Sequence, residues 1–375
     1  MRRMKLTVLQ ENLAKSLATT SRFTATRAQL PVLENILFSA DKTKLRLSAT
    51  NLETSAVVNL GAQIKEEGEI TIPAKTIAEI ILNLPAGPLE LESDKEHLKI
   101  KAQGFSAKVL GMNSADFPKI PQAVEPTDCL VLPKEELLDA LAQVLFAVSV
   151  DESRPILTGV LFLFSKGGLS LVATDGFRLS QKKINFKGKG LFQKLVLPKN
   201  PLVEISRLGD EAEEIKMSLK EKENQAVFGL GETVLSSRVL EGKFPDYEKI
   251  IPKSSSLKVR ADKEELLRAV KLASVFARDS ANIVKSKVEK ETLNLSAESS
   301  QVGNQEASVE AKVDGDLPAG GFEISFNYRF LEEFLRVVKG EEAQMEFTNS
   351  SAPGVFTDPK DPNFLHLIMP VKIQE

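Results

Sequence analysis

The sequence has one cysteine, two histidines, two tyrosines and no tryptophan among 375 residues. A single thiol, Cys129, excludes an internal disulfide and suits a reducing compartment, so a cytoplasmic location is expected. It stands in an apolar, strand-like run, which predicts a buried and inert side chain. His97 and His366 lie far apart, and neither has a Cys or carboxylate at metal-ligand spacing. No metal or other cofactor is therefore expected, and both rings are expected on exposed strand faces. No apolar run approaches the roughly 18 residues that a membrane span requires. The basic start Met1-Arg-Arg-Met4 is not followed by an apolar stretch or a small-residue cleavage site, so no signal peptide is expected.

Signatures of catalysis are missing too. There is no nucleophile elbow, and no glycine-rich loop ends in Lys-Ser or Lys-Thr. Lys187-Gly-Lys-Gly190 lacks the following helix pattern and reads as a basic hairpin turn. The many Asp and Glu residues are scattered, and nothing singles out a catalytic pair.

What is present is repetition. Cys129-Leu-Val-Leu-Pro-Lys-Glu-Glu-Leu-Leu-Asp139 returns as Leu257-Lys-Val-Arg-Ala-Asp-Lys-Glu-Glu-Leu-Leu-Arg268, and a degenerate copy opens the chain at Lys5-Leu-Thr-Val-Leu-Gln-Glu-Asn-Leu13. A period of about 125 residues is domain-sized, far longer than a solenoid repeat. Each copy offers a second strand-to-helix passage: Ile70-Thr-Ile-Pro-Ala-Lys-Thr-Ile-Ala-Glu-Ile-Ile-Leu82, Leu195-Val-Leu-Pro-Lys-Asn-Pro-Leu-Val-Glu-Ile205 and Phe322-Glu-Ile-Ser-Phe-Asn-Tyr-Arg-Phe-Leu-Glu-Glu-Phe334. Proline suits a helix start, where its missing N–H would be unpaired anyway. Alternating strands such as Leu98-Lys-Ile-Lys-Ala102 follow. The expected fold is therefore α+β: three repeated domains at 1–124, 125–255 and 256–375, each a duplicated β-α-β-β-β unit.

The formal net charge is −3, so distribution matters more than the sum. Helical spacing puts Lys15, Thr19 and Arg22 on one face of the helix near Glu11, opposite Leu13 and Leu17. It puts Arg268, Lys271 and Arg278 together on the helix from Lys263. One basic stripe is an ordinary solvated face. Equivalent stripes in two of three repeats suggest a shared phosphate-facing surface. The middle repeat differs, with Glu135, Asp139 and Gln143 on its first helix and Glu204 beside Lys199 and Arg207 on its second.

Several loops are chemically unusual. Val172-Ala-Thr-Asp-Gly-Phe-Arg-Leu179 reads as a hairpin whose Asp175-Gly176 supplies a left-handed turn, leaving Phe177 and Arg178 held out. Lys243-Phe-Pro-Asp-Tyr-Glu-Lys-Ile-Ile-Pro252 and Ala115-Asp-Phe-Pro-Lys-Ile-Pro121 read as extended linkers clamped by proline. The end Leu367-Ile-Met-Pro-Val-Lys-Ile373 is either a last edge strand or an adaptable peptide-binding surface.

These segments, with Gln29-Leu-Pro-Val-Leu-Glu-Asn-Ile-Leu37, Ser48-Ala-Thr-Asn-Leu-Glu53, Ser153-Arg-Pro-Ile-Leu-Thr-Gly159 and Phe244-Pro-Asp-Tyr247, occur in order from Lys5 to Ile373. In that order the sequence resembles the bacterial DNA polymerase III beta-subunit, or sliding clamp, family. The resemblance implies a head-to-tail homodimeric ring of six DNA-clamp domains, helices inside and sheets outside, encircling duplex DNA without reading its sequence. It implies a processivity factor with no catalytic or exonuclease activity. Its partners would be the replicative polymerase's catalytic subunit, a clamp loader, other polymerases and repair proteins, held through short linear peptides, with no membrane. Position by position, the peptide pocket falls on Leu157, Thr174, Gly176, Phe177, Arg178, Leu179, Pro245, Lys249, Ile250, Leu367, Met369, Pro370, Val371 and Lys372. The DNA face falls on Lys15 and Arg27, with Arg154, Lys199, Arg207 and Arg278 added from helix or loop placement. Lys249 and Lys372 stand where arginine is common in relatives, and lysine lacks the planar fork. The rival readings are a duplicated α+β DNA-processing enzyme, which would need a clustered acid pair or metal ligands, and a repeat scaffold with no DNA role.

Overall fold

The computed structural model describes residues 3–27, 29–94, 96–126, 129–185 and 194–372. Six β-α-β-β-β units follow one another. The first is β1 (Lys5–Leu9), α1 (Gln10–Thr20), β2 (Asn35–Asp41), β3 (Lys44–Thr50) and β4 (Thr54–Gly61), with a short β5 (Gln63–Glu66) appended. The second is β6 (Gly68–Pro73), α2 (Ala74–Leu82), β7 (Pro88–Ser93), β8 (His97–Ala102) and β9 (Phe105–Leu110). The middle repeat gives β10 (Leu130–Leu132), α3 (Lys134–Val144), β11 (Gly159–Ser165), β12 (Gly168–Thr174) and β13 (Arg178–Asn185), then β14 (Lys194–Pro198), α4 (Lys199–Gly209), β15 (Ile215–Lys220), β16 (Gln225–Leu230) and β17 (Thr233–Arg238). The last gives β18 (Leu257–Asp262), α5 (Lys263–Ala277), β19 (Ile283–Val288), β20 (Thr292–Ser299) and β21 (Gly303–Gly315), then β22 (Phe322–Asn327), α6 (Tyr328–Val337), β23 (Glu342–Phe347), β24 (Gly354–Asp358) and β25 (Asp361–Ile368). The duplicated unit read from the sequence is thus present in every repeat.

Within a repeat the two units exchange their first strands. β1 joins β7 and β6 joins β2; β10 joins β15 and β14 joins β11; β18 joins β23 and β22 joins β19. Every one of these pairings is antiparallel. Helix starts follow the sequence signals. Pro73 is the N-cap of α2, and Asp262 caps α5 by accepting from the Glu265 N–H, a contact worth about 1 kcal/mol. Spacing then sets what is buried: Leu266, Val270, Ala273 and Ala277 line one face of α5, and Leu331, Phe334 and Leu335 one face of α6.

The chain packs as two compact units, each holding part of the middle repeat: Met1–Lys134 with Arg207–Val239, and Glu135–Ser206 with Leu240–Glu375. In the first, β17 pairs with β4, so that β10-β15-β16-β17 continues into β4-β3-β2-β6 as one eight-stranded sheet; a five-stranded sheet, β5-β1-β7-β8-β9, accompanies it. In the second, β13 pairs with β25, and twelve strands run β14-β11-β12-β13-β25-β24-β23-β18-β21-β20-β19-β22. Each of these two junctions lies within one compact unit and joins the last strand of one β-α-β-β-β repeat to the last strand of another.

Several expectations change. Thr19 is buried, not beside Lys15 on the solvent face, and its hydroxyl donates to the Lys15 carbonyl at 3.3 Å. Cys129 is half-buried just before β10, because the strand starts one residue later than the apolar run. β25 is an interior strand flanked by β24 and β13, not an edge. The hairpin expected at Lys187-Gly-Lys-Gly190 lies outside the described residues. His366 is 0% exposed, because Phe146, Phe334 and Phe356 pack around its ring. Its ring stacks on Phe334 at 5.6 Å between centroids, and its Nδ1 meets the Ser180 hydroxyl at 2.7 Å.

Burial, with the Arg178 charge nearby, holds the His366 pKa down from 6.5 to about 3. A ring kept neutral by the fold contributes stability that is complete above pH 6.5. That contribution is lost as pH falls toward the folded value, by about 1.4 kcal/mol per pH unit. The chain should therefore lose about 2–3 kcal/mol more than a His366→Gln variant between pH 7 and about 4.5, read from urea midpoints. Equal losses in the two proteins would show that this ring does not govern acid sensitivity.

Candidate docking site and charged faces

The turn between β12 and β13 is built by its own side chains. Asp175 Oδ1 accepts from the N–H groups of Phe177 and Arg178 at 2.9 and 3.0 Å. The Thr174 hydroxyl accepts from the Gly176 N–H at 3.0 Å and donates to the Arg178 carbonyl at 2.6 Å. Gly176 has φ +93°, and a Cβ there would lie 3.2 Å from an Arg154 guanidinium nitrogen. Glycine thus suits the left-handed backbone, and a side chain there would press on the Arg154 guanidinium.

Phe177 projects, 62% exposed, as the sequence predicted, but Arg178 does not. Arg178 turns inward. Its guanidinium donates to Asp175 at 3.0 Å, to the Phe146 carbonyl at 2.6 Å and to Glu333 on α6, and it stacks 4.4 Å from the Phe330 ring centroid. All of this cation's reach is used in fixing the turn, which is what keeps a buried charge tolerable. The residue was placed at the site by its neighbours in sequence; the inward rotamer depends on Glu333, far along the chain.

Pairing of β13 with β25 sets Leu179 opposite Leu367 and Arg178 opposite Ile368, and the Met369 N–H donates to the Phe177 carbonyl at 2.8 Å. Leu157, Leu179 and Leu367 are buried in one apolar cluster with Phe244 and Tyr247. Phe177, Met369 and Ile250 stand exposed above it, with Pro245 exposed and Pro370 half-buried at its margin. The linker is therefore more than a spacer: Phe244 and Tyr247 plug the floor, a role sequence reasoning missed although Phe244-Pro-Asp-Tyr247 was singled out. Val371 is tied by its N–H to the Ser325 carbonyl at 2.8 Å, while Lys372 is exposed. Lys249 pairs with Asp246 at 2.6 Å, which holds its pKa above the usual value. The arrangement is an apolar floor with three exposed apolar side chains and a basic margin. It can receive apolar side chains of an extended segment, and it offers no nucleophile or general base. Among the described residues no cluster of His, Cys, Asp and Glu could hold a metal.

The basic residues named from the sequence fall on different elements. Lys15 on α1 is exposed and pairs with Glu211. Arg27 is exposed in the loop after α1, Arg207 is exposed on α4, and Arg278 is exposed where α5 ends; Lys199, at the start of α4, is half-buried. Arg154 is the outlier. It lies over the Asp175–Gly176 turn, 3.5 Å from the Asp175 carbonyl and 3.8 Å from the Asp151 carboxylate, which puts it at the docking site. No helix is long and apolar enough to cross a membrane among the described residues.

Comparison with known proteins gives one consistent answer. Models of the N-terminal, central and C-terminal domains of the DNA polymerase III beta subunit match residues 4–121, 131–246 and 248–372. The beta sliding clamp of Synechocystis sp. is 31% identical over 99% of this chain and all of its own length. The fold is that of the Bacillus subtilis DNA polymerase sliding clamp (TM-score 0.92, 26% identity) and the C. crescentus beta sliding clamp (TM-score 0.91, 28% identity), each covering 99% of this chain and all of the other.

Proposed function

This chain belongs to the DNA polymerase III beta-subunit family of sliding clamps, non-catalytic processivity subunits, and from that premise we propose that two copies close head to tail into a ring around duplex DNA. The three domains of the ring are taken as 1–124, 125–255 and 256–375. The observation that carries the proposal is a pair of unused strand edges. Last strands pair at both junctions already described. The two last strands left over are β9, which pairs only with β8, and residues 303–310 of β21, which pair only with β20, among the described residues. An open edge invites a partner strand. The repeat supplies the register: Ser236 faces Ser55 and Leu367 faces Leu179 at the existing junctions, and the equivalent residues at the open edges are Lys108 and Asn304. Leu110, 64% exposed, then falls opposite Val302, 55% exposed.

The helix behind the edge agrees. The α5 position equivalent to Thr19 on α1 and Gln143 on α3 is Leu272. Thr19 and Gln143 are 7% and 1% exposed, whereas Leu272 is 52% exposed and apolar, as is nearby Val275. Charge is complementary as well, with exposed Lys99, Lys101 and Lys108 on β8–β9 against exposed Glu298, Glu306 and Glu310 on β20–β21. A contact between unlike surfaces closes into a ring when its rotation is right.

Encirclement holds DNA without tight bonds, so phosphate contacts stay weak and indifferent to sequence. Lys15, Arg27, Lys199, Arg207 and Arg278 supply them in this reading, within a chain whose net charge of −3 repels stray DNA elsewhere. The docking site receives the apolar side chains of short peptides from the polymerase's catalytic subunit, the clamp loader and other replication or repair proteins. Phe177, Met369 and Ile250 adapt to each ligand above the fixed floor of Leu157, Leu179 and Leu367. The cell compartment is the cytoplasm.

Two outcomes are expected. Once loaded, the protein should stay on circular duplex DNA and slip from linear DNA of the same length, measured by gel filtration of labelled complexes; equal retention on both would exclude encirclement. Deleting Met369 to Glu375 should weaken binding of an apolar clamp-interaction peptide at least about tenfold while leaving the two-chain mass, as fluorescence anisotropy and sedimentation would report. Unchanged affinity would place the peptide site elsewhere.

A further inference from the structure

The two strand junctions carry an ion pair at the same place, with opposite polarity. Strand register defines that place. Val8, Leu132 and Ala261 are equivalent, since they pair with Leu89, Ile215 and Ala343 respectively. Seven residues after the first set come Lys15, Asp139 and Arg268 on the three first helices; four residues before the second set come Pro85, Glu211 and Lys339. In the first unit Lys15 is bonded to Glu211. In the second unit Asp139 is bonded to Lys339. Each bond ties the helix of one domain to the loop that follows the second helix of the next, beside the paired edges. Charge type is free to reverse because only complementarity matters.

At the third set the pattern breaks. Arg268 is exposed on α5 and has no ion-pair partner among the described residues, while the matching position is Pro85, also exposed. Resting on the two-copy ring proposed above, we propose that the junction between copies is built without this clasp, and that Arg268 of one copy faces Pro85 of the other as an unanswered cation. The joints inside the chain are clasped and tethered; the joint between chains is neither. Position 85 then sets how readily that joint parts.

Installing the missing acid tests this. Pro85→Glu, compared with Pro85→Ala to remove the effect of losing proline, should tighten the dimer roughly two- to thirtyfold, because two exposed ion pairs are gained per ring. Dilution in an analytical ultracentrifuge gives the constant. The gain should fade at about 0.5 M salt and vanish when Arg268→Ala is added. The reversed pair, Pro85→Lys with Arg268→Glu, should tighten it likewise, whereas Pro85→Lys alone should loosen it. A dimer constant for Pro85→Glu equal to that of Pro85→Ala, or a gain that survives Arg268→Ala, overturns the clasp while leaving the dimer standing. An unsubstituted chain that is monomeric at micromolar concentration overturns the dimer reading itself, and the clasp with it.

Discussion

Backbone hydrogen bonding between last strands is the interaction from which the rest follows. A strand edge presents unpaired N–H and C=O groups that must be covered, charged or paired. This chain pairs two of its three such edge sets internally, β17 with β4 and β13 with β25, and so turns separate repeats into continuous sheets. Because the repeats are alike, the proposed contact between copies would repeat the same pairing a third time.

The docking site depends on the same contact. Its floor exists because β13 lies beside β25, which brings Leu179 against Leu367, and its exposed members are the residues that flank this pairing on either strand. The Asp175–Arg178 turn is then held from three sides, by its own carboxylate, by the Phe146 carbonyl and by Glu333. A fixed floor with a few exposed apolar side chains suits the peptide docking proposed for it.

Much of this was legible in the chain itself. The repeated strand-to-helix lines gave six units because hydrophobic periodicity and proline placement are local signals, and they even aligned Asp139 with Arg268. Motifs marked Leu157, Phe177 and Met369, which the fold gathers beside the β13–β25 pairing. What escaped depended on distant partners. Arg178 turns inward because Glu333 and Phe330 meet it, His366 is buried because Phe146 of the middle repeat and Phe334 pack on its ring, and Thr19 is buried although its spacing suggested solvent. The proposed copy–copy edge carries a signal that comparison of repeats would have found: Leu272 is apolar where Thr19 and Gln143 are polar.

The claim that the third junction repeats the first two fixes one register, and covalent trapping reads it directly. In a Cys129→Ser background, Leu110→Cys with Val302→Cys places two thiols opposite each other only if β9 of one copy pairs with β21 of another in the inherited alignment, since a bridge needs Cα atoms within about 7 Å. Mild oxidation should convert the protein to a covalently closed pair of chains on a denaturing gel, and each single-cysteine variant should stay uncrosslinked. No crosslink, or equal crosslinking when the second cysteine is moved to Asn304, would contradict the account.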